Sequence, residues 1–371
     1  MRKVVELDYE LVILSIRKMT FHITYILLAA LFFFYTKQSF AVDAQPPSEL
    51  HIAPKSHVEP KYHVEPKPHV TPNFGPLLSY AQAPIQTNSL TPQLRSGYSM
   101  EDGSTEAYAA LTAASIWIKT REYRADYYQN QLFIGTKWQA TPQFQLDLHY
   151  RWNYASNNYL DGPIEGFHDF FSIQHNGRDK VDDHQFNIAV PKYNIRVDDF
   201  EGDTISSAFT LYAQYQLIAA EHHGLSIGSS IFYNRVANGA FEGHQLEQSL
   251  QFNYEFRVTD HNFFTNVGVI YQYEAQTIGD LPHNTLRFSW AGGYQFEFIE
   301  NHELHLEYRL YEGAENGISD LSFAVHEILA GYRYTMKNSA IELLFVENVV
   351  NMDNSTDIAF QIGYRYQFRN D

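Results

Sequence analysis

The densest grouping of chemically capable side chains lies between residues 164 and 179. Phe167, His168 and Asp169 are followed by Ser172, then by Gly177, Arg178 and Asp179. Histidine, aspartate and serine are the types used for acyl transfer, but triad members converge in space from separate parts of a chain, so local clustering is weak support. The spacing predicts a short helix instead. Ile164, Phe167, Phe170 and Phe171 share one face and Glu165 and Asp169 the other, an amphipathic pattern that asks for burial. Gly177 permits a tight reversal, and Arg178 offers a forked donor to carboxylates. Phe167, His168, Asp169, Gly177, Arg178 and Asp179 are therefore the expected binding or plug residues. No catalytic residue and no metal-ligand set is assigned.

Two further groupings have a sharper and a plainer reading. Asp353, Asn354, Ser355 and Asp357 offer oxygen ligands of the kind calcium takes, but the same residues build Asx-type turns without metal, and a turn is expected. His51, His57, His63 and His69 recur every six residues among prolines. In polyproline II, with three residues per turn, they would line one edge. A semi-rigid spacer is expected rather than a metal-loading tether.

Composition narrows the elements that could position such groups. The 371 residues carry 27 Tyr and 27 Phe but only 19% charged residues, and their mean hydropathy is −0.35. That mixture fits strands with one face toward lipid and one toward a polar lumen, flanked by aromatic girdles. The absence of cysteine excludes disulfides, thiol nucleophiles and thiolate metal sites. A net charge of −17 makes nucleic acid a poor partner. No cofactor is expected.

Arg17 and Lys18 precede the apolar run Ile23 to Tyr35, and small residues follow at Ser39 and Ala41. This reads as a secretory signal peptide over residues 1–41, with an upstream extension if Met19 is the start. The run is shorter than the ~20 apolar residues a spanning helix needs. Residues 42–83 read as a His/Pro-rich periplasmic linker, 84–368 as an outer-membrane barrel and 369–371 as a tail.

From Thr105 onward, apolar and polar residues alternate. Phe144, Leu146, Leu148, Tyr150 and Trp152 interleave with Gln145, Asp147, His149 and Arg151. The final run Ile358, Phe360, Ile362, Tyr364, Tyr366 and Phe368 repeats the pattern, and period two assigns one face to each parity. Short turns are expected at 139–142, 221–224, 259–262, 299–302 and 336–339, with long polar loops between them. The expected fold is all-β: a closed antiparallel transmembrane barrel of about twelve strands, with a short helical insertion at the external mouth. If the stretch 153–206 adds a hairpin, the count becomes fourteen. Arg257, Glu297, Glu303, Arg309, Arg333 and Arg365 are the expected lumen charges. They would either pair to fill a narrow bore or form a selective constriction.

Ile164, Glu165, Gly166, Phe167, His168 and Asp169, with Gly177, Arg178 and Asp179, form one motif. Glu347 and Asn348, with Asp353, Asn354, Ser355 and Asp357 before the closing strand, form a second. Together they resemble an uncharacterised gammaproteobacterial outer-membrane barrel family known only as a domain of unknown function. The resemblance runs from about Pro84 to Phe368 and leaves out the His-Pro repeat. It implies the barrel and brings no activity, substrate or catalytic residue. The expected function is binding or passage of a small or amphipathic solute. A structural envelope barrel with a filled lumen and a membrane-embedded lipid hydrolase are the alternatives. Expected partners are outer-membrane lipid, lipopolysaccharide and the barrel-assembly machinery, besides a small-molecule ligand the sequence leaves unidentified.

Overall fold

The computed structural model describes residues 73–160, 185–276, 278, 281–351 and 354–368. The chain divides into two units, 1–67 and 68–371, and every described residue belongs to the second. The leader and the His-Pro repeat lie outside the described residues.

Fourteen strands form one sheet. They are β1 (Thr105–Lys119), β2 (Arg124–Thr141), β3 (Phe144–Ala155), β4 (Asn187–Val190), β5 (Ile195–Asp198), β6 (Thr204–Ala219), β7 (His223–Val236), β8 (Gly243–Val258), β9 (His261–Gln276), β10 (Leu286–Ile299), β11 (His302–Tyr311), β12 (Val325–Thr335), β13 (Ser339–Val350) and β14 (Ile358–Phe368). β1 pairs with both β2 and β14, so twelve antiparallel strands close on themselves. Closure removes the sheet edges that would otherwise leave backbone groups unpaired in lipid. The other two strands, β4 and β5, are a hairpin inside the long β3–β6 connection and extend the upper end of β2. Both expected counts thus have a physical referent: twelve strands make the wall, and the extra hairpin stands on its rim.

The alternation forces the two faces apart. On β14, Phe360, Ile362, Tyr364 and Phe368 are exposed, while Gln361, Arg365 and Gln367 are buried. Outward residues meet across strands, as Leu343 does with Ile362 and Phe252 with Val267. The result is a continuous apolar belt around the barrel, the surface a bilayer requires.

All five expected short turns lie at one end of the barrel. At this short-turn end the outward face carries a repeated pair. His223, His261 and His302 open β7, β9 and β11, and each shares a hydrogen bond with the tyrosine hydroxyl of the next strand: Tyr254 at 2.8 Å, Tyr294 at 2.8 Å and Tyr332 at 2.6 Å. Aromatic rings with a polar tip suit the interface between hydrocarbon and water.

The long-loop end is capped by an apolar cluster. Ile116 and Tyr127 from the wall meet Ile188 of β4, Phe200, Phe241 and Leu321 from the loops. Polar stitches join the same loops. The Glu122 carboxylate accepts from the backbone N–H and hydroxyl of Ser319 at 2.8 and 2.7 Å, and His283 pairs with Glu315 at 2.8 Å.

Candidate functional site

An eight-stranded barrel is just wide enough for side chains to fill, and bore grows with strand number. Twelve strands leave space, and the chain fills it with its own segment 73–99. Of these residues only Arg95 is charged, and prolines stand at 76, 84 and 92. Proline cannot donate to a β ladder, which keeps this segment out of the wall.

The segment ascends the bore, turns at the short 3-10 helix Gln86–Asn88, and descends. On the way up, the Leu77 N–H donates to Glu307 at 3.2 Å, and the Ser79 carbonyl accepts from Arg309 at 3.2 Å. Two steps of the segment match two steps of β11, which is the rise of an extended chain. On the way down, the Leu90 N–H donates to Glu247 at 2.7 Å, and the Gln93 carbonyl accepts from Gln251 at 3.2 Å. Ser96 Oγ then donates to Glu255, and Tyr98 stacks under Arg257 at 3.9 Å. These contacts track β8 from top to bottom. Both ends of the plug therefore lie at the short-turn mouth, and its bend packs Ile85 against the apolar cap.

The wall addresses the plug mainly through its backbone. Arg365 donates to the carbonyls of Phe74 and Pro76 at 2.5 and 3.0 Å. Arg333 reaches the Gly75 carbonyl at 2.8 Å, and Arg151 those of Thr87 and Ser89 at 3.0 and 3.2 Å. Gln361 takes the Leu78 carbonyl at 2.7 Å and Asn266 that of Gln93 at 2.8 Å. Guanidinium groups suit this use because their donors are fixed in a fork. Arg365 and Arg333, with Arg309 and Arg287, are also neutralised within the wall. Arg333 pairs with Glu303 and Glu342 at 2.8 and 2.7 Å, Arg365 with Glu106 and Glu342 at 2.8 and 3.1 Å, Arg309 with Glu307 at 2.7 Å and Arg287 with Glu247 at 2.7 Å. Buried charges demand such partners.

Side chains of the plug sit in small apolar notches. Leu77 packs with Leu329, Leu344 and Val346, and Leu94 with Phe264 and Ala291. Wall glycines make the room: a Cβ on Gly331 would lie 2.3 Å from Leu77 Cδ1, and one on Gly293 2.5 Å from Leu94 Cδ2. The strongest side-chain anchor is on β3. Asp147 pairs with Arg95 at 2.7 Å and accepts from Tyr108 at 2.5 Å, while His149 shares a hydrogen bond with Tyr80 at 2.5 Å. Arg151 lies 4.4 Å over the Tyr80 ring. Below the plug a cavity of about 200 Å³ opens at the short-turn mouth, lined by Phe74, Arg95, Tyr98, Glu106, Lys137 and Gln214 among others.

The residues expected from the sequence fall into two groups. Phe167, His168, Asp169, Ser172, Gly177, Arg178 and Asp179 lie outside the described residues, as does Asp353. The six expected lumen charges are described. Glu303, Arg309, Arg333 and Arg365 face the bore in the pairs given above, Arg257 pairs with Glu255 at the mouth, and Glu297 accepts from the N–H of Asn301 at 2.9 Å in the β10–β11 turn. The wall carboxylates Glu303, Glu307 and Asp147 hold Arg333, Arg309 and Arg95. Asn354 ties the mouth loops together, donating to the carbonyls of Leu321 and Phe323 at 3.3 and 2.6 Å.

One boundary needs correction. A linker over residues 42–83 cannot extend to 83, because Asn73 onward already lies in the bore. The physical signal was a change in composition: the Lys and Glu of the repeat give way at residue 73 to an uncharged stretch spaced by prolines. That stretch, together with Tyr80, Arg95, Asp147, His149 and Glu247, is the part of the site the sequence reading missed.

A closed antiparallel wall, an apolar belt and a polar bore occupied by the chain itself define a plugged membrane β-barrel. The chain belongs to the family described as protein of unknown function (DUF3187), whose model matches residues 61–368. No curated protein matches it. Similar solved structures include the KdgM porin in complex with disordered oligogalacturonate, 9% identical, covering 72% of this chain and 99% of that chain with a TM-score of 0.38. Another is the transport unit of the autotransporter AIDA-I from Escherichia coli, 10% identical over 72% of this chain and 91% of that one, TM-score 0.42. The Pseudomonas putida toluene transporter TodX is 10% identical over 72% and 89%, TM-score 0.34. At these scores the likeness adds nothing to what the strand pairing itself defines.

Proposed function

We propose that the protein is an outer-membrane barrel for binding or passage of a small or amphipathic solute, closed at rest by residues 73–99. The observation that carries this is the way the bore is filled. A wall that needed only filling could use its own side chains. Here the filling is one extended segment, held by separate polar contacts rather than by strand pairing, with both ends at one mouth. The short turns would face the periplasm, so the cavity of about 200 Å³ would be a periplasmic vestibule. A structural barrel with a filled lumen is the second reading, favoured by the apolar cap over the opposite mouth.

The test uses the full chain, which contains no cysteine. Leu77→Cys with Gly331→Cys places two thiols where side chain and wall meet. The variant in planar bilayers should conduct in discrete steps when reduced under mild denaturant, and fall silent when oxidised. A folded barrel that stays silent in both states would favour the structural reading.

A further inference from the structure

We propose that the lumen is a conduit that reads polypeptide backbone, and that its solute is an extended peptide. This rests on the passage reading above and names the class of solute. Three observations carry it. First, the wall spends its costly groups on the main chain. Arginine forks from four strands meet carbonyls of the plug, while Glu307 and Glu247 accept the amides of Leu77 and Leu90. Any peptide in the same conformation presents the same carbonyls, and all but proline the same amides. Second, from Leu77 to Ser79 the plug advances in step with β11, from Glu307 to Arg309, and from Leu90 to Tyr98 it runs beside β8 from Glu247 to Arg257, so the wall is graded to an extended chain on both sides. A chain of sugar rings has a different repeat and no N–H groups in its backbone. Third, Arg287, Arg309, Arg333 and Arg365 are neutralised by carboxylates of the wall, so the charge the bore asks of a solute is confined to one cation opposite Asp147. The bore's apolar preference is limited to small notches such as those under Leu77 and Leu94. A wall shaped only for its own plug would be expected to read mainly side chains; it does so at Tyr80, Gln82, Thr87, Arg95, Ser96 and Tyr98, while main-chain contacts run the length of the segment.

The experiment keeps the chain whole through folding. A protease site is placed at the exposed turn Glu101–Asp102, between plug and wall. The folded protein is cut, and a fluorescent peptide of residues 73–99 is offered to it in detergent. The peptide should exchange into the bore. A peptide that keeps Tyr80 and Arg95 in place and has its other polar residues permuted should compete within about tenfold. N-methylation at Leu77 or Leu90 should each cost at least about tenfold, since a hydrogen bond to a charged group is lost. Failure of the permuted peptide would overturn the proposal, as would equal binding of the N-methylated ones or displacement by an oligosaccharide of equal length. A cut plug that never exchanges overturns it too. Conductance of the cut barrel is read separately. An open channel that ignores peptides sinks only the peptide inference, whereas peptide exchange in a silent barrel supports the peptide site and sinks passage.

Discussion

Asp147 neutralises the plug's one cation, Arg95. It is fully buried and holds Arg95, Tyr108 and His149 together. Asp147→Leu should cost about 3–5 kcal/mol, because Arg95 would be left charged in a dry site. Adding Arg95→Met should recover more than half of that loss, leaving chiefly the unsatisfied Tyr108 hydroxyl. Protease protection of the plug, followed through a denaturant titration, measures both. A double variant as unstable as the single would show that Arg95 is not the reason for the cost. The steric notches make a second case. Gly331→Ala should unseat Leu77 at a cost of about 1–3 kcal/mol, and Leu77→Ala in the same chain should cost less than the two changes summed. Neither site was legible at the residue level. Alternation shows that Asp147 and Gly331 face inward, but nothing local tells which distant residue fills the space before them.

At the scale of elements, the sequence was most informative where one residue's face fixes the next. Strands, their inward parity and all five short turns follow from period two and turn chemistry. The plug did not follow, because an extended segment shaped by prolines has no periodicity of its own, and its partners are wall residues distant in sequence, 52 positions away for Arg95 and Asp147 and 291 for Phe74 and Arg365. The hairpin β4–β5 is equally hard to foresee, being four residues a side. The loop stitches add a pH-dependent element. Hydrogen bonds from Ser319 hold the Glu122 carboxyl below its usual range. Since the folded value is lowered, this latch contributes above the unfolded pKa and is lost as pH falls through the folded one. Protection of the Ser319 amide, its exchange rate taken relative to the intrinsic rate at each pH, should therefore fall on acidification, and Glu122→Gln should flatten that dependence. Equal pH profiles for the two proteins would assign the change to another group.

For the whole molecule, location and assembly are the properties to test. A closed barrel should migrate faster on gels before boiling than after, and the protein should sediment with outer membranes. Recovery in the soluble periplasm would contradict the reading. Phe368 is an exposed aromatic at the end of the closing strand, opposite Thr105. Phe368→Ala should lower the amount of folded barrel in the membrane several-fold while export continues. The plug adds a topological consequence. Its two ends, at Asn73 and Ser99, lie at the same mouth, so the segment occupies the bore as a bent loop. Closure of the wall and occupation of the bore are then separable in time. The ring can seal first and be filled later, or emptied and refilled, without breaking a single strand pair. Kinetically, refolding should show two phases, one for the gel shift and a later one for protease resistance of residues 73–99, and only the second should slow when Leu77 or Arg95 is changed.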